Sequence, residues 1–412
     1  MANTFLNPSI VALRSAMILE NILVSNKAMY RGYDGEFTKQ YNGYKVGDTV
    51  TVERPTKFTA GTTMAITPQD ITRGSLSIAI NKVANFSYTL TDLDATLKIE
   101  AFTEKVIKPG MIAIANKMDA DALAFALANT YNQTGTPGTA VGSYGAFTAA
   151  TRRLNDTSTP SEDRVAILST ADRQGLATGM SGLYAANLVN SAWRSGKVGM
   201  IDGTDTYETQ NVASYTTGAR GGTPLVNGAN QNVTYGSTNS WGQTQTLVAD
   251  GATNSVTGWA KAGDTFTIAG VFAVNTVTKQ VLPYLQQFVI TSAANSDGSG
   301  NLSLTISPAI VSSGAFQNVS AAPADNAAIT MLNTAATIYT PSLMLNNKAF
   351  ALVSVPLQNP PTAAYSAVKT YKNMSVAVAG GFDVTNRIST YRFDVIYGFG
   401  SVDPSMSTRI YG

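Results

Sequence analysis

Residues 109–129 read PGMIAIANKMDADALAFALAN, and this stretch predicts a long helix. Pro109 and Gly110 break or kink the chain at its start. Apolar residues then recur three or four positions apart, namely Met111, Ile114, Ala115, Met118, Ala122, Phe125 and Ala126. About 20 residues of this pattern give a rod of roughly 30 Å. Asp119 and Asp121 are two positions apart and do not face one another on a helix, so we expect solvated charges rather than a metal or acid–base pair.

Two further helices are predicted on the N-terminal side of this stretch. One follows a capping box formed by Thr91 and Asp94. The other begins where Asn7 can cap and Pro8 fits the first helical position, and its apolar residues recur at Ile10, Leu13 and Met17. This N-terminal helix has two interpretations, which the sequence leaves open: it docks on its own domain, or it is an arm that packs on a neighbouring subunit.

Between these helices the hydrophobic period changes from helical to alternating. Residues 46–52 and 76–80 alternate as strands do, and the segment Thr56–Gly74 that joins them is polar and rich in Thr, Gly and Pro. Two strands with a long polar tip predict an extended ribbon. Because an isolated hairpin is marginally stable in water, the ribbon needs its own body or another chain to lie on.

A short buried strand, Val165–Leu168, and a helix with Leu176, Leu183, Leu188 and Val189 are predicted after the long helix. From residue 223 to 333 the chain is rich in Thr, Asn, Gly and Val and poor in charge. Its predicted strands are Thr244–Ala249, Thr265–Val274, Gln287–Ser292 and Leu302–Ser307. The turn Asn295–Gly300 lacks the acidic ligands of a calcium loop and is a plain hairpin turn. This pattern predicts a small β module, a barrel or a sandwich.

Mixed patterning resumes after the β module, which therefore looks inserted. Strand candidates there are Leu343–Leu345, Phe350–Val355, Met374–Val378 and Tyr391–Gly398, followed by a short edge strand at Arg409–Gly412.

The composition excludes much chemistry. Among 412 residues there is no cysteine and no histidine, so thiolate sites, histidine metal ligands and Ser-His-Asp triads are ruled out. Ser169, Ser195 and Lys197 could be nominated for a Ser–Lys enzyme, but no spacing motif supports them. We therefore expect no catalytic residue, no metal site and no cofactor.

The charge balance also bears on partners. The 28 basic residues nearly cancel the 26 acidic ones, for a formal net charge of +2, which argues against a dedicated nucleic-acid binder. No apolar run is long enough to span a membrane, and the N-terminus lacks a signal peptide, so we expect synthesis and folding in a cytoplasm.

Several segments resemble the major capsid proteins of tailed bacteriophages of the P22 coat-protein type. In chain order they are Gly47–Val50 with Arg54-Pro55, Asp92–Asp121, Tyr207–Gly218, Gly263–Val271, Ala349–Val353, and Tyr397-Gly398 with Pro404. Together they run over nearly the whole chain. This resemblance implies the HK97-type capsid fold, an α+β fold, here with an inserted small β-barrel domain.

The resemblance also implies a division of the chain. Its parts are an N-terminal arm (1–35), an E-loop ribbon (36–85), a peripheral domain with a spine helix (86–158), the first part of an axial domain (159–225), an inserted β-barrel (226–335), the second part of the axial domain (336–375), and C-terminal strands that return to the axial and peripheral domains (376–412).

The function that the resemblance implies is that of a coat protein. Such proteins form pentamers and hexamers of an icosahedral shell around a scaffolding protein, receive double-stranded DNA through a portal protein, and expand on maturation. The location would be the virion, after assembly in the host bacterial cytoplasm, with no membrane involved. Near-neutral charge suits a subunit that meets copies of itself. The residues expected at assembly contacts are Ile10, Leu13, Met17, Arg54, Lys57, Phe58 and Arg73.

Three alternatives remain at this point. A nanocompartment shell of the same fold would enclose protein cargo instead of DNA. A secreted adhesin would account for the Thr/Asn-rich β region, although the missing signal peptide and the long helices count against it. An enzyme is the third alternative and has no motif to support it.

Overall fold

A computed structural model of the chain describes residues 8–32, 49–53, 56–59, 64, 68, 71, 74–91, 103–180, 199–235, 243–358, 365–386 and 388–412. Several predictions lie outside these residues: the Asn7 cap, the helix after Asp94, the contacts of Arg54 and Arg73, and the positions Leu183, Leu188, Val189, Ser195 and Lys197. In the described part of the chain, none of the helices combines the length and hydropathy that a membrane span requires.

The helices are α1 (Pro8–Ile22), α2 (Ser25–Ala28), α3 (Lys108–Asn129), α4 (Tyr144–Asp156) and α5 (Thr170–Met180). The strands before and within the β module are β1 (Thr49–Glu53), β2 (Ser75–Thr91), β3 (Asn132–Thr134), β4 (Arg164–Leu168), β5 (Met200–Ile201), β6 (Thr204–Glu208), β7 (Tyr215–Thr216), β8 (Gly222–Val226), β9 (Gln245–Ala252), β10 (Thr265–Val274), β11 (Val281–Ile290), β12 (Leu302–Ser307) and β13 (Ile329–Met331). The strands after it are β14 (Ile338–Tyr339), β15 (Ser342–Asn346), β16 (Phe350–Val355), β17 (Tyr365–Tyr371), β18 (Met374–Asp383), β19 (Ile388–Ser401) and β20 (Ser407–Ile410).

The chain forms two compact units. The first comprises the described residues of Met1–Val52, Ser77–Ala122 and Phe350–Gly400; the second comprises those of Glu53–Leu76, Leu123–Ala349 and Ser401–Gly412.

The first unit is built on a sheet with the strand order β1-β2-β19-β18-β17, in which β16 also pairs with β19. The antiparallel register of β2 and β19 places Tyr88 opposite Tyr391 and Phe86 opposite Phe393. The start of α3 lies against the Phe86 ring. A Cβ atom on Gly110 would stand 2.3 Å from the Phe86 ring, so only glycine fits there.

The second unit contains a base sheet with the order β3-β20-β15-β4-β6-β5. Ser143 caps α4 by accepting a hydrogen bond from the Ala146 N–H at 3.1 Å, which fixes where this helix begins. The apolar face of α4 then packs in a core shared with the sheet and α5, which includes Phe147, Leu154, Leu168, Leu176, Met344 and Ile410.

A second sheet in this unit, with the order β13-β10-β11-β12-β9-β8, forms the β module. Its two end strands meet, because the Val226 N–H donates to the Ala327 carbonyl at 2.9 Å and the Asn326 N–H to the Val226 carbonyl at 2.9 Å. The sheet is thereby nearly closed into a barrel around a core of buried apolar side chains such as Trp259, Phe266 and Phe288. Closure removes the exposed edges that an open sheet would leave.

The chain enters and leaves the β module through a two-stranded neck formed by β7 and β14. Tyr215 pairs with Tyr339 and Thr216 with Ile338. The module is therefore an insertion whose two ends meet, as the change in composition predicts. The predicted α+β architecture with an inserted β-barrel is confirmed.

Several predicted elements agree with the structure. The strands Thr265–Val274 and Leu302–Ser307 have the predicted bounds, and the Asn295–Gly300 turn is held by Asp297, which accepts hydrogen bonds from the backbone N–H groups of Ser299 and Asn301 at 2.8 Å each. Local alternation and turn residues determine these elements, and both signals are visible in the sequence.

Other predictions are wrong. The strand predicted at residues 76–80 is too short, because β2 continues to Thr91. Pro109 and Gly110, in contrast, agree with the prediction: they lie in the first turn of α3, directly after a π-helical turn at Thr103–Ile107, so the helix changes type where a break or kink is predicted. The predicted C-terminal edge strand is an inner strand, since β20 runs between β3 and β15.

Candidate assembly surfaces

Ser169, nominated above for an enzyme, is a helix cap. The Asp172 N–H donates to the Ser169 hydroxyl at 3.1 Å, and that hydroxyl donates to the Asp172 carboxylate at 2.9 Å. This reciprocal pair fixes the start of α5. Within the described ranges, no group of three or more Asp and Glu side chains is placed to hold a metal ion.

The N-terminal helix α1 is apolar on two faces. Its inner face, with Val11, Ala12, Ser15, Ala16 and Leu19, is buried in the first unit, where α1 lies against β17 and β18. Its outer stripe, formed by Ile10, Leu13 and Met17, is exposed by 46, 40 and 39%. Exposed apolar side chains that lie together on one face of a helix form a surface suited to be covered by a partner.

Asp119 on α3 fixes the segment that follows α1. Its carboxylate oxygens accept hydrogen bonds from the backbone N–H groups of Val24 at 3.1 Å and Ser25 at 3.0 Å. The prediction of a solvated charge is therefore wrong for Asp119, which is buried. Asp121 is half-buried and accepts hydrogen bonds from the Tyr397 hydroxyl and the Lys117 ammonium at 2.8 Å each.

Replacing Asp119 by Ala leaves the two N–H groups without this acceptor. We expect Asp119→Ala to lower the free energy of unfolding of the soluble subunit by about 1–3 kcal/mol, the usual cost of unsatisfied buried donors. Asp119→Asn keeps an acceptor oxygen and serves as the matched control. The measurement is urea denaturation of both variants beside the wild type, and equal stability of the Ala and Asn variants would contradict the role of the hydrogen bonds.

The same carboxylate gives a pH dependence with a definite sign. Burial raises the pKa of Asp119 above its ordinary value of 3.8, although the hydrogen bonds from Ser25 and Val24 oppose the shift. The folded chain therefore holds this proton at a pH where the unfolded chain has released it. As the pH rises from below 3.8 through the raised value, the wild type should lose stability relative to Asp119→Asn. Denaturation curves at a series of pH values measure this difference.

Backbone pairing also holds the N-terminal segment. The Tyr30 N–H donates to the Phe350 carbonyl at 2.8 Å, and the Leu352 N–H donates to the Tyr30 carbonyl at 3.0 Å. The Glu20 carboxylate lies 3.8 Å from the Arg31 guanidinium and 3.5 Å from the Lys372 ammonium. With the inner face of α1, these contacts dock the segment on its own unit. The first interpretation of the helix thus accounts for its inner face and leaves the outer stripe for the second.

The tip of the ribbon exposes large apolar side chains. Phe58 is exposed by 57%, and Met64 and Ile71 are also exposed. The Lys57 ammonium lies 5.9 Å from the centre of the Phe316 ring in the β module. Apolar side chains on an extended segment gain little from their own chain, so this tip is a second surface suited to contact with a partner.

A ladder of aromatic rings crosses the sheet of the first unit. The ring centres of Phe86 and Phe393 are 4.6 Å apart, those of Tyr88 and Tyr391 are 5.2 Å apart, and Tyr365 meets Tyr391 edge-on at 5.3 Å. Cross-strand aromatic pairs of this kind stabilise a sheet. Burial, together with the nearby Tyr391 and Tyr365 hydroxyls, raises the pKa of Tyr88, so its phenol stays neutral. The ladder strengthens the sheet on which α1 docks.

A buried ion pair fastens the neck of the β module. Arg220 follows β7 and pairs with Asp264, and both side chains are buried. Asp264 also accepts hydrogen bonds from the N–H groups of Gly218 at 3.0 Å and Lys261 at 2.8 Å. Arg220 donates to the carbonyl of Asn333 at 2.5 Å, where the chain leaves the module. One pair of side chains thus joins both ends of the insertion.

Arg409 on β20 is fully buried and connects three parts of the second unit. Its guanidinium donates to the Leu127 carbonyl at 2.8 Å, the Gly263 carbonyl at 2.7 Å and the Tyr215 hydroxyl at 3.1 Å. Leu127 is in the last turn of α3, where carbonyl groups lack helical partners and a cation is favoured. Arg409 therefore ties the end of α3 and the base of the β module to the C-terminal strand.

Sequence analysis did not identify these buried charges. Asp264 lies in the segment Gly263–Val271 that carries the family resemblance, and Arg409 begins the predicted edge strand. Both belong to local patterns that are ordinary on a surface, and only tertiary contacts distinguish them. Two signals were available: a Gly-Asp turn at the start of a strong strand, and an arginine within a C-terminal segment that is otherwise uncharged.

Of the residues predicted at assembly contacts, the outer stripe and Phe58 lie on the surface. Lys57 contacts the β module of its own chain, and Arg54 and Arg73 lie outside the described residues.

Comparisons with known proteins bear on what these surfaces do. A family profile described as P22 coat protein, gene protein 5, matches residues 17–412. The major capsid protein of Acyrthosiphon pisum secondary endosymbiont phage 1 is 26% identical over 381 residues, which cover 89% of each chain.

Solved structures are similar as well. A chain of Mycobacterium phage Che8 matches with a TM-score of 0.47 and 13% identity, covering 93% of this chain and 89% of that chain. The capsid of Ralstonia phage GP4 matches with a TM-score of 0.42 and 10% identity, covering 89% of this chain and 84% of that chain.

Proposed function

Because the chain belongs to the P22 coat-protein family and is a major capsid protein of a tailed phage, we propose that its subunits assemble into a procapsid around a scaffolding protein. The procapsid then expands on maturation into the shell that encloses double-stranded DNA. The observation that carries this proposal is the family match from residue 17 to the last residue, 412. The family and the relative are structural capsid proteins, so the chain is not an enzyme, and a nanocompartment shell is not favoured.

The parts of the subunit have proposed roles in this assembly. We assign α1 to the N-terminal arm, the ribbon to the E-loop, α3 to the spine helix and the β module to the inserted domain. Homo-oligomeric contacts use the outer stripe of α1 and the ribbon. The portal protein and the packaged DNA are further partners, and the near-neutral net charge of +2 fits packaged DNA that is enclosed without being bound tightly.

Particle formation tests the proposal directly. We expect the expressed chain, alone or with the scaffolding protein of the same phage, to sediment as large particles and to form closed shells in electron micrographs. Deleting residues 56–74 should leave a folded subunit that does not form shells, because the ribbon gains its contacts from neighbours. Near-ultraviolet circular dichroism checks that the shortened subunit is folded. A wild-type chain that stays monomeric with its scaffolding protein would contradict the proposal, and normal shells from the deletion would contradict the role of the ribbon.

The outer stripe allows a sharper test at a single position. Leu13→Asp places a charge on the exposed face of α1, where it costs the isolated subunit about 0.5 kcal/mol or less. Buried in an interface, the same charge lacks a partner and costs several kcal/mol. We therefore expect Leu13→Asp subunits to be folded but at least tenfold poorer in shell yield, whereas the apolar control Leu13→Met assembles normally. Equal yields by sedimentation would show that the stripe is not covered in the shell.

A further inference from the structure

An Asn-Gly pair lies where the two end strands of the barrel meet. The Val226 N–H donates to the Ala327 carbonyl at 2.9 Å, the Asn326 N–H donates to the Val226 carbonyl at 2.9 Å, and we call this pairing the seam. Asn227 and Gly228 follow Val226 directly in sequence. The pair is therefore next to the contact that closes the barrel.

The surroundings of this pair leave room for a reaction between its two residues. Glycine has no Cβ atom, so its main-chain nitrogen can approach the side chain of a preceding asparagine. Asn227 is exposed. A Cβ atom built on Gly228 would meet no described residue within 4 Å beyond its chain neighbours. The Asn227 side chain and the Gly228 nitrogen are thus accessible to each other and to water.

The folded chain opposes this reaction through Asp325. The Gly228 N–H donates to the Asp325 carboxylate at 2.8 Å. Attack requires the nitrogen to lose this proton, and the negative charge that then forms would lie beside a carboxylate, which disfavours it. The Asn227 N–H also donates to the Val248 carbonyl at 3.1 Å, and the Asn227 carbonyl accepts a hydrogen bond from the Gln231 side chain at 2.7 Å. The turn is therefore held away from the geometry of a five-membered ring.

We propose that Asn227 is a modification site, at which the closed seam holds back deamidation and rearrangement of the main chain. The reaction needs no partner besides water. The Gly228 nitrogen bonds to Cγ of Asn227, the Cγ–Nδ2 bond breaks, and ammonia leaves with the proton of the Gly228 nitrogen, which gives a cyclic succinimide. Water then opens this ring at one of its two carbonyl carbons and gives aspartate or isoaspartate.

The isoaspartyl product changes the seam itself. In that product the main chain runs through the former Asn227 side chain, so one carbon atom, or about 1.5 Å, is added between Val226 and Gly228. Both of these residues are hydrogen-bonded across the seam, and with the longer spacing they cannot both keep their partners. A chain that reacts while its seam is open is thus left with a barrel that no longer closes as before. This inference concerns the single subunit and does not depend on shell assembly.

Peptide mass spectrometry of soluble subunits measures the reaction, because loss of the amide changes the peptide mass and the aspartyl and isoaspartyl forms separate by chromatography. Subunits are incubated folded in buffer and unfolded in guanidinium chloride at the same pH. We expect Asn227 to react at least about tenfold faster in the unfolded chain, since releasing a hydrogen bond to a charged group is worth that factor or more. Asn42-Gly43, the other Asn-Gly pair of the sequence, lies outside the described residues and is the internal standard in the unfolded chain.

Asp325→Ala isolates the hydrogen bond in the folded chain, where we expect deamidation at Asn227 to be about tenfold faster than in the wild type. Ile306→Val is the matched control. It removes one buried carbon atom from the barrel core and lowers stability modestly, while Gly228 keeps its contact with Asp325. Its rate should stay close to that of the wild type, because local opening of an exposed turn does not require the core to unfold.

Three outcomes of these rate measurements would overturn the proposal. Equal acceleration in Asp325→Ala and Ile306→Val would refute the role of the hydrogen bond. Equal rates in the folded and unfolded wild type would refute protection by the seam. An unfolded chain that reacts at Asn42 but not at Asn227 would show that Asn227 is not a modification site.

The effect on the seam is tested by ageing folded Asp325→Ala beside the double variant Asp325→Ala/Asn227→Gln. Glutamine would have to form a six-membered ring, which closes much more slowly, so the double variant controls for every other change during the incubation. As isoaspartate accumulates, the melting temperature of Asp325→Ala by circular dichroism should fall by about 4–8 °C, the shift that the loss of roughly one hydrogen bond produces. The double variant should keep its melting temperature. Isoaspartate at position 227 without any fall would contradict the effect on the seam.

Discussion

Asp264→Ala is expected to lower the free energy of unfolding of the β module by about 3–5 kcal/mol. The substitution leaves the buried Arg220 guanidinium without its carboxylate. It also removes the acceptor for the N–H groups of Gly218 and Lys261. The expected loss of stability is large because a buried charge without a partner is strongly destabilising. This holds even though an intact buried ion pair contributes little more stability than apolar residues of similar size would.

Trp259 reports this unfolding, since its side chain is buried in the module and its indole N–H donates to the Gly221 carbonyl at 2.9 Å. Replacing the other two tryptophans, Trp193 and Trp241, by Phe makes Trp259 the single fluorophore. Its fluorescence in a urea titration then gives the stability of the module.

Asp325→Ala is the matched control for Asp264→Ala. Asp325 is an exposed aspartate of the same module that accepts a hydrogen bond from the Gly228 N–H at 2.8 Å. We expect a loss below about 1 kcal/mol there. Similar losses for the two variants would refute the argument from burial.

Arg409→Met is expected to lower the free energy of unfolding of the second unit by about 3 kcal/mol or more. It leaves the carbonyl groups of Leu127 and Gly263 without this donor in a buried site, at about 1–3 kcal/mol each. Methionine fills much of the same volume, so the loss reports hydrogen bonding and charge rather than a cavity.

Two further variants separate the causes. Arg409→Lys keeps the charge but cannot reach three acceptors with a planar fork, so we expect an intermediate loss. Arg152→Met is the surface control, because that side chain is 76% exposed and lies 4.0 Å from Asp156. Its stability should match the wild type in the same urea titration. An Arg409→Met chain as stable as this control would show that Arg409 does not hold the unit together.

The sequence was most informative where structure is determined locally. Residues that favour strands, flanked by turns, predicted the bounds of Thr265–Val274 and Leu302–Ser307. The helix predicted at Pro109–Asn129 is observed at Lys108–Asn129, because its periodic apolar positions are also a local signal.

The sequence failed where a residue's role depends on partners far along the chain. Asp119 and Val24 are 95 positions apart, and Arg409 and Leu127 are 282 positions apart. The residues next to Asp119 and Arg409 in sequence do not indicate that either side chain has a buried hydrogen-bond partner. The sequence could not decide whether α1 docks on its own domain or packs on a neighbouring subunit. The helix has an inner and an outer apolar face, and its periodic pattern does not show how many faces will be covered.

The neck has a consequence for the order in which the chain folds. The Thr217 hydroxyl donates to the Thr337 carbonyl, although the two residues are 120 positions apart. Closing an unstructured loop of that length costs roughly 4 kcal/mol of chain entropy. If the barrel folds first, its two ends are brought together at the neck. The loop that must close for β15 to pair with β4 is then effectively much shorter. We therefore expect the inserted barrel to form first. The base sheet, which contains β4 and β15 on either side of the insertion, should be completed only afterwards.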